Sequence, residues 1–187
     1  MPYAIVMLIE ATAAPRIATL WHALAERDGN GQVKFSDEQA RFNYPPHITL
    51  ATVDDSADPD VLVETLEAIV AGWKPVAVAF DSIVILPRKP VAPVLARPNV
   101  TVELLNLNKE VCDAFPLDSI KSYHKPPVWQ PHVTLARDIL PEKCGDALLA
   151  VLERWSGFET TLDRAALVRF RQEGKNWRVT ELWNARL

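Results

Sequence analysis

A nearly unbroken apolar run at residues 3–9, Tyr-Ala-Ile-Val-Met-Leu-Ile, predicts a strand buried on both faces. The period then changes. Ile17, Leu20, Trp21 and Leu24 recur at helical spacing and predict an amphipathic helix that ends near Asp28-Gly29-Asn30-Gly31. After a polar loop, residues 46–53 read as a strand. Asp58-Pro59 has the form of an N-cap followed by Pro at the first helical position, and Leu62, Leu66, Ile69 and Trp73 mark the buried stripe of a second helix. Residues 75–86 read as one long strand, with 91–96 as its hairpin partner across Pro87-Arg88-Lys89-Pro90. Val100, Leu104, Leu107 and Val111 mark a third helix. A strand over 129–137 follows, then a fourth helix with Cys144, Leu148, Val151, Leu152 and Trp155 on one side. Two long strands, 159–171 and 177–187, close the chain around a turn at Gly174-Lys175-Asn176.

The two halves repeat one order: strand, helix, strand, acidic turn, helix ending in Trp, long strand. The helix-terminal residues Trp73 and Trp155 follow the second strand of each half at similar distances. The expected fold is α+β. It is a two-lobed βα duplication about a pseudo-twofold axis, with antiparallel sheets lining a central cleft and helices outside, and residues 1–187 form a single bilobal domain.

Within the duplicated strands lies a repeated motif, Pro46-His47-Ile48-Thr49-Leu50 and Pro131-His132-Val133-Thr134-Leu135. The chain has only four histidines, so two such matches arise by accident with odds of roughly one in several thousand on composition. On a strand, residues i and i+2 share a face, so His47 projects with Thr49, and Ile48 with Leu50 toward the helices. If the two strands meet about the pseudo-axis, two imidazoles and two hydroxyls converge. That set suits displacement at phosphorus, which needs a base on the attacking oxygen and an acid on the leaving oxygen. The threonines then hold the non-bridging oxygens, and no metal is required.

Composition narrows the partners. A length of 187 residues with 49% hydrophobic content is enough for a substantial core. The run at 3–9 is too short to span a bilayer and lacks a basic leader segment, so a cytoplasmic protein with no membrane partner is expected. A net charge of −4 argues against a broad polyphosphate-binding surface and for a small or short substrate. Cys112 and Cys144 suit neither a zinc site nor a disulfide framework and read as small apolar helix residues. No feature argues for an obligate dimer, and a monomer is expected.

His22 reads as a partly exposed helix residue. The loop Lys121-Ser122-Tyr123-His124-Lys125-Pro126-Pro127 leads into the second motif strand, where Tyr123 or Trp129 could stack on a base while Lys121 and Lys125 steer phosphate. Phe42 and Tyr44 stand in the same relation to the first motif. For each of these the plain reading, a solvated loop with a packed aromatic, carries more weight. Trp73, Trp155, Trp177 and Trp183 read as core.

The paired His-x-Thr motifs, the Pro before each His and the two-lobed order resemble the 2H phosphoesterase superfamily, most closely its bacterial 2′-5′ RNA ligase and cyclic phosphodiesterase branches. His132-Val133-Thr134-Leu135-Ala136-Arg137 is similar to the second motif of the ligase-like members, which makes Arg137 a candidate phosphate contact. The first motif departs from the pattern: ligase-like members tend to continue with an aromatic residue and glycine, and this chain has Ala51-Thr52-Val53-Asp54-Asp55. The resemblance implies hydrolysis, without metal or cofactor, of a 2′,3′-cyclic phosphate or related cyclic or 2′-5′ linkage on a small nucleotide or RNA end. His47 and His132 are then the acid/base pair, and Thr49 and Thr134 the oxygen ligands. Two other readings stand beside it. One is a non-catalytic module holding a nucleotide or RNA terminus in the same cleft. The other is a His-carboxylate metal site drawing on Asp54, Asp55 and Asp138, which lie near strand ends and away from the imidazoles.

Overall fold

The computed structural model describes residues 2–26, 29–30, 32, 35–38, 43–86, 90–173 and 176–187, and among them are seven strands and four α-helices. In chain order they are β1 (Tyr3–Ile9), α1 (Ala14–Ala25), β2 (His47–Val53), α2 (Pro59–Val70), β3 (Val76–Ile85), β4 (Ala92–Pro98), α3 (Val102–Ala114), β5 (Val133–Ile139), α4 (Cys144–Leu152), β6 (Phe158–Glu173) and β7 (Asn176–Arg186). Phe42, Asp28, Gly31 and the tips of the two predicted turns, Pro87-Arg88-Lys89 and Gly174-Lys175, lie outside the described residues.

The strands form one antiparallel sheet in the order β2-β1-β6-β3-β4-β5, with β7 added on β6. Exchanging β1 with β4, β2 with β5 and β3 with β6 returns the same order reversed, which is the pseudo-twofold symmetry expected from the repeat. Its centre is the β3–β6 pair, where Val78 faces Thr160. Each long strand crosses over: β3 follows the first half's helices yet pairs with β4, and β6 follows the second half's helices yet pairs with β1. Neither half can therefore complete its own sheet. Among the described residues, strand β7 has no counterpart in the repeat.

All seven residues of β1 are buried because the strand has neighbours on both sides and cover on both faces. Tyr3, Ile5, Met7 and Ile9 join the main core under the helices. Ala4, Val6 and Leu8 join a smaller cluster with Ala166 and Val168 on the other face, which is the floor of the cleft. The helices start where their caps dictate. Asp58 accepts a hydrogen bond from the Asp60 amide at 3.0 Å, and Thr101 accepts one from the Leu104 amide at 3.2 Å. Helix α1 packs on β5 and helix α3 on β2, so the first helix of each half supports the motif strand of the other.

Several details differ from the periodic reading. Val100 precedes its helix and is 49% exposed, because Thr101 takes the cap position. In the short α4 the buried residues are Ala147 and Val151, whereas Leu152 is 47% exposed. Trp73 and Trp155 lie just past their helices, Trp73 buried and Trp155 packed edge-on to Phe158. The second motif strand starts at Val133 rather than 129, because residues 122–124 form a 3-10 turn and 125–128 a further turn.

Phe80 and Phe158 sit opposite each other across β3 and β6, ring centroids 5.1 Å apart, at 1% and 8% exposure. Because the crossing strands tie the halves together there, Phe80→Ala should destabilise the protein by about 3–5 kcal/mol. Far-ultraviolet dichroism and tryptophan fluorescence should still report one coincident urea transition. Two separated transitions would show that the halves unfold independently.

Candidate active site

Both motif strands break register at the same place. Strand β2 pairs Ile5 with Ala51 and Val6 with Thr49, leaving Leu50 as the extra residue of a β-bulge. Strand β5 pairs Val94 with Ala136 and Leu95 with Thr134, leaving Leu135 extra. Two consecutive residues, Leu50-Ala51 and Leu135-Ala136, are buried, and the next side chain returns to the cleft. The cleft thus receives His47, Thr49 and Thr52 from the first motif, and His132, Thr134 and Arg137 from the second. The two hexapeptides His-Ile-Thr-Leu-Ala-Thr and His-Val-Thr-Leu-Ala-Arg carry this geometry in their matched Leu-Ala pairs, a longer repeat than His-x-Thr-Leu alone. Asp138, at a φ of 57°, follows the second bulge in the left-handed region that Asp tolerates.

A bulge leaves ladder carbonyls without strand partners, and side chains from the opposite half take them. The Trp129 indole N–H donates to the Thr49 carbonyl at 3.0 Å. The Trp21 indole N–H donates to the Thr134 carbonyl at 2.9 Å. Asn108, 1% exposed on α3, donates from Nδ2 to the carbonyls of Leu50 and His124, both at 2.8 Å. The motif strands lie at the two ends of the sheet order, and these bonds help hold them face to face.

The two imidazoles are anchored identically. His47 Nδ1 lies 2.8 Å from the Pro45 carbonyl and His132 Nδ1 2.8 Å from the Gln130 carbonyl, each two residues back. A carbonyl only accepts, so Nδ1 carries the proton in both rings and Nε2 is left to exchange one in the cleft. Burial pulls the His47 pKa from 6.5 down to about 4, helped by the charges of Arg137 and His132 and opposed by the Pro45 acceptor. That ring is neutral at pH 7.

Arg137 is aimed by a buried carboxylate. Glu38, 4% exposed, accepts from the Arg137 amide at 3.0 Å and from Nε at 3.2 Å, while Ser36 Oγ donates to it at 2.9 Å. Burial of Glu38 against a cationic fork is the pairing its charge requires.

The other expected contacts fall in different places. Tyr44 packs edge-on to His47 at 5.5 Å, and its hydroxyl donates to Glu181 on β7 at 2.8 Å. Burial and the Glu181 carboxylate raise its pKa. Trp129 lines the cleft but is buried, and its N–H is engaged with the Thr49 carbonyl, so it supports the first motif. Tyr123 is 57% exposed at the cleft rim and tilts over His124. Lys121 pairs with Asp54, which removes that carboxylate from the cleft. Trp177 is half-buried and lines the cleft rather than the core. Among the described residues, no three His, Cys, Asp or Glu side chains gather in a metal-holding cluster.

His124 is a buried site residue that the loop reading underweighted. It is 7% exposed, lines the cleft, and has its pKa lowered to about 4 by burial, with the positive charge of His132 adding to the effect. Trp21, Glu38, Thr52 and Asn108 carried no motif signal of their own.

His47 and His124 bind a proton near pH 6.5 in the unfolded chain but only near 4 in the folded one. As pH falls through that interval the unfolded state takes up protons first, so stability should decline between about pH 6.5 and 4 and be insensitive to these rings above it. Urea midpoints measured from pH 7.5 to 4 should show this slope, and His124→Gln should flatten it. An unchanged slope in the variant would show that the ring titrates normally.

The model of the 2'-5' RNA ligase superfamily matches residues 11–174. Solved structures share the fold over the full chain at low identity. The protein TT0787 of Thermus thermophilus aligns with a TM-score of 0.69 and 15% identity, covering 100% of this chain and 98% of its own. E. coli LigT in complex with 3'-AMP aligns with a TM-score of 0.62 and 15% identity, covering 100% and 99%. The same protein with ATP aligns with a TM-score of 0.59 and 14% identity over the same shares. No curated protein matches the sequence. The match over most of the chain, together with the LigT-like fold and its mirrored histidine strands, establishes that the chain belongs to the 2'-5' RNA ligase superfamily.

Proposed function

We propose that the protein is a metal-independent phosphodiesterase that opens the 2′,3′-cyclic phosphate, or a related cyclic or 2′-5′ phosphodiester, of a nucleotide or RNA end. The observation that carries this reading is the identical anchoring of His47 and His132 through Nδ1, which presents two Nε2 atoms from facing strands to one cleft.

In the hydrolytic direction, one Nε2 accepts a proton from water as its oxygen attacks phosphorus. The other ring, protonated, gives its Nε2 proton to the departing ribose oxygen as the phosphorus–oxygen bond breaks. The first ring ends charged and the second neutral, so proton exchange with solvent restores the pair. A bound phosphate anion opposes the Arg137 charge and favours a charged imidazole, so the pair takes up from solvent the one proton it must share. Thr49 and Thr134 hydroxyls donate to the non-bridging oxygens, and Arg137, aimed by Glu38, balances the charge that grows on them. Tyr123 is the exposed aromatic at the rim that can meet a base. E. coli LigT, which shares the fold, has been solved with 3'-AMP, and a nucleotide of that size suits a cleft lined by His47, His132, Arg137 and Tyr123.

Turnover of the four 2′,3′-cyclic nucleoside monophosphates in EDTA tests the proposal. Wild type should hydrolyse at least one of them. His47→Ala and His132→Ala should each lower kcat by about 10²–10⁴-fold, the usual weight of a general acid or base. Arg137→Ala should lower kcat/KM with His anchoring intact. Loss of wild-type activity on chelation would sink the metal-independent mechanism. No turnover of cyclic nucleotides or RNA ends, with nucleotide binding retained, would replace catalysis by a binding module.

A further inference from the structure

Thr52 and Arg137 hold the same place in the repeat. Each is the third residue after its motif threonine and the first to return to the cleft after the bulge. The pseudo-twofold axis therefore relates an uncharged hydroxyl to a cation. One end of the cleft is built for an anion, and the other is not.

Thr52 is not a bare hydroxyl. His124 Nε2 lies 3.4 Å from its Oγ1, and the His124 ring is buried in the wall of the same cleft. The backbone on both sides of the pair is fixed by Asn108, which holds the carbonyls of Leu50 and His124. Among the described residues, His124 Nδ1 is shut off from solvent with no partner in hydrogen-bond geometry. With the proton on Nδ1, the tautomer that His47 and His132 also hold, the Nε2 lone pair faces Thr52. In that tautomer the Thr52 hydroxyl donates to Nε2, and its oxygen offers only lone pairs to the cleft. Arg137, at the matching place, offers only donors.

We infer that Thr52, oriented by His124, is a specificity-determining residue that accepts a hydrogen bond from an uncharged O–H or N–H donor on the nucleoside part of the ligand. The inference rests on the phosphodiester reading of the cleft and adds the orientation of the ligand within it: phosphate toward Arg137, a ribose hydroxyl or base amino group toward Thr52. A second phosphate is disfavoured at Thr52, because a phosphate oxygen brings negative charge to lone pairs in a buried wall. His124 is a positioning residue in this scheme and acts through Thr52.

Equilibrium binding tests the inference separately from turnover. The probes are adenosine 3′-monophosphate, uridine 3′-monophosphate and inorganic phosphate, titrated into wild type, Thr52→Val, Thr52→Ser and His124→Phe. Thr52→Val should weaken nucleotide binding about 5–10-fold, the worth of one neutral hydrogen bond, and change phosphate binding less than about twofold. Thr52→Ser should restore the wild-type value. His124→Phe should weaken nucleotides alone, and the double variant should be no weaker than Thr52→Val, as two members of one relay require. An effect on both nucleotides assigns the donor to the ribose, and an effect on the adenosine nucleotide alone assigns it to the amino group. Unchanged nucleotide affinity in Thr52→Val overturns the inference, as does a parallel loss of phosphate affinity. Wild type that binds these nucleotides but turns over no cyclic phosphate removes the enzymatic reading and leaves this contact standing.

Discussion

The two strands that carry the histidines are the outermost members of a six-strand path, so the backbone ladder alone does nothing to bring them together. Their meeting depends on side-chain donors that reach across the pseudo-axis. Trp21 from the first half holds the second motif, while Trp129 and Asn108 from the second half hold the first. Each takes a carbonyl beside a bulge, where strand pairing is broken. A buried carbonyl or indole N–H left without its partner costs about 1–3 kcal/mol, so separating the strands would expose several such groups at once. Apolar packing supplies most of the energy of closure, and these directed bonds fix its geometry.

Local chemistry follows from that geometry. With the strands held face to face, His47 is half-buried with Arg137 and His132 nearby, and that burial removes part of the water that would stabilise its charge. The same enclosure makes hydrogen-bond donors in the wall stronger than they would be in water. Anchoring each ring through Nδ1 to a carbonyl two residues back keeps the sequence requirement local: a residue at i−2 with a free carbonyl, and a proline between it and the histidine. Pro46 and Pro131 keep the backbone of the preceding residue extended, which fixes the direction of that carbonyl.

Most elements were legible because their periods are clean. Tyr3–Ile9 is apolar throughout, α2 carries Leu62, Leu66 and Val70 on one face behind an Asp-Pro cap, and the mirrored order of elements pointed to the pseudo-twofold fold. The misreadings have physical causes. Helix α4 has only nine residues, too few for a stripe to be unambiguous when Leu148, Leu149 and Leu152 all compete for the inner face. The bulges were not foreseen, because strict alternation would send Ala51 and Ala136 into the cleft; the clue was the second apolar residue after each Thr. Glu38 and Asn108 had no local signature, since their partners lie 99 and 58 positions away in sequence. His124 read as a loop residue because sequence does not show that the loop is capped by Asn108 and roofed by Tyr123.

Duplication creates a site whose two imidazoles are anchored alike, yet the proposed displacement at phosphorus is not symmetric: water enters on one side and a sugar oxygen leaves on the other. The differences must be supplied by residues that break the repeat. Strand β7, which has no counterpart among the described residues, places Glu181 on Tyr44 of the first half and Trp177 along the cleft. The second motif ends in an arginine held by a buried glutamate, and the first ends in a threonine held by a buried histidine. The backbone thus keeps the symmetry that the proposed proton transfer needs, and a few side chains outside the repeated Pro-His-x-Thr-Leu segments break the symmetry of the cleft.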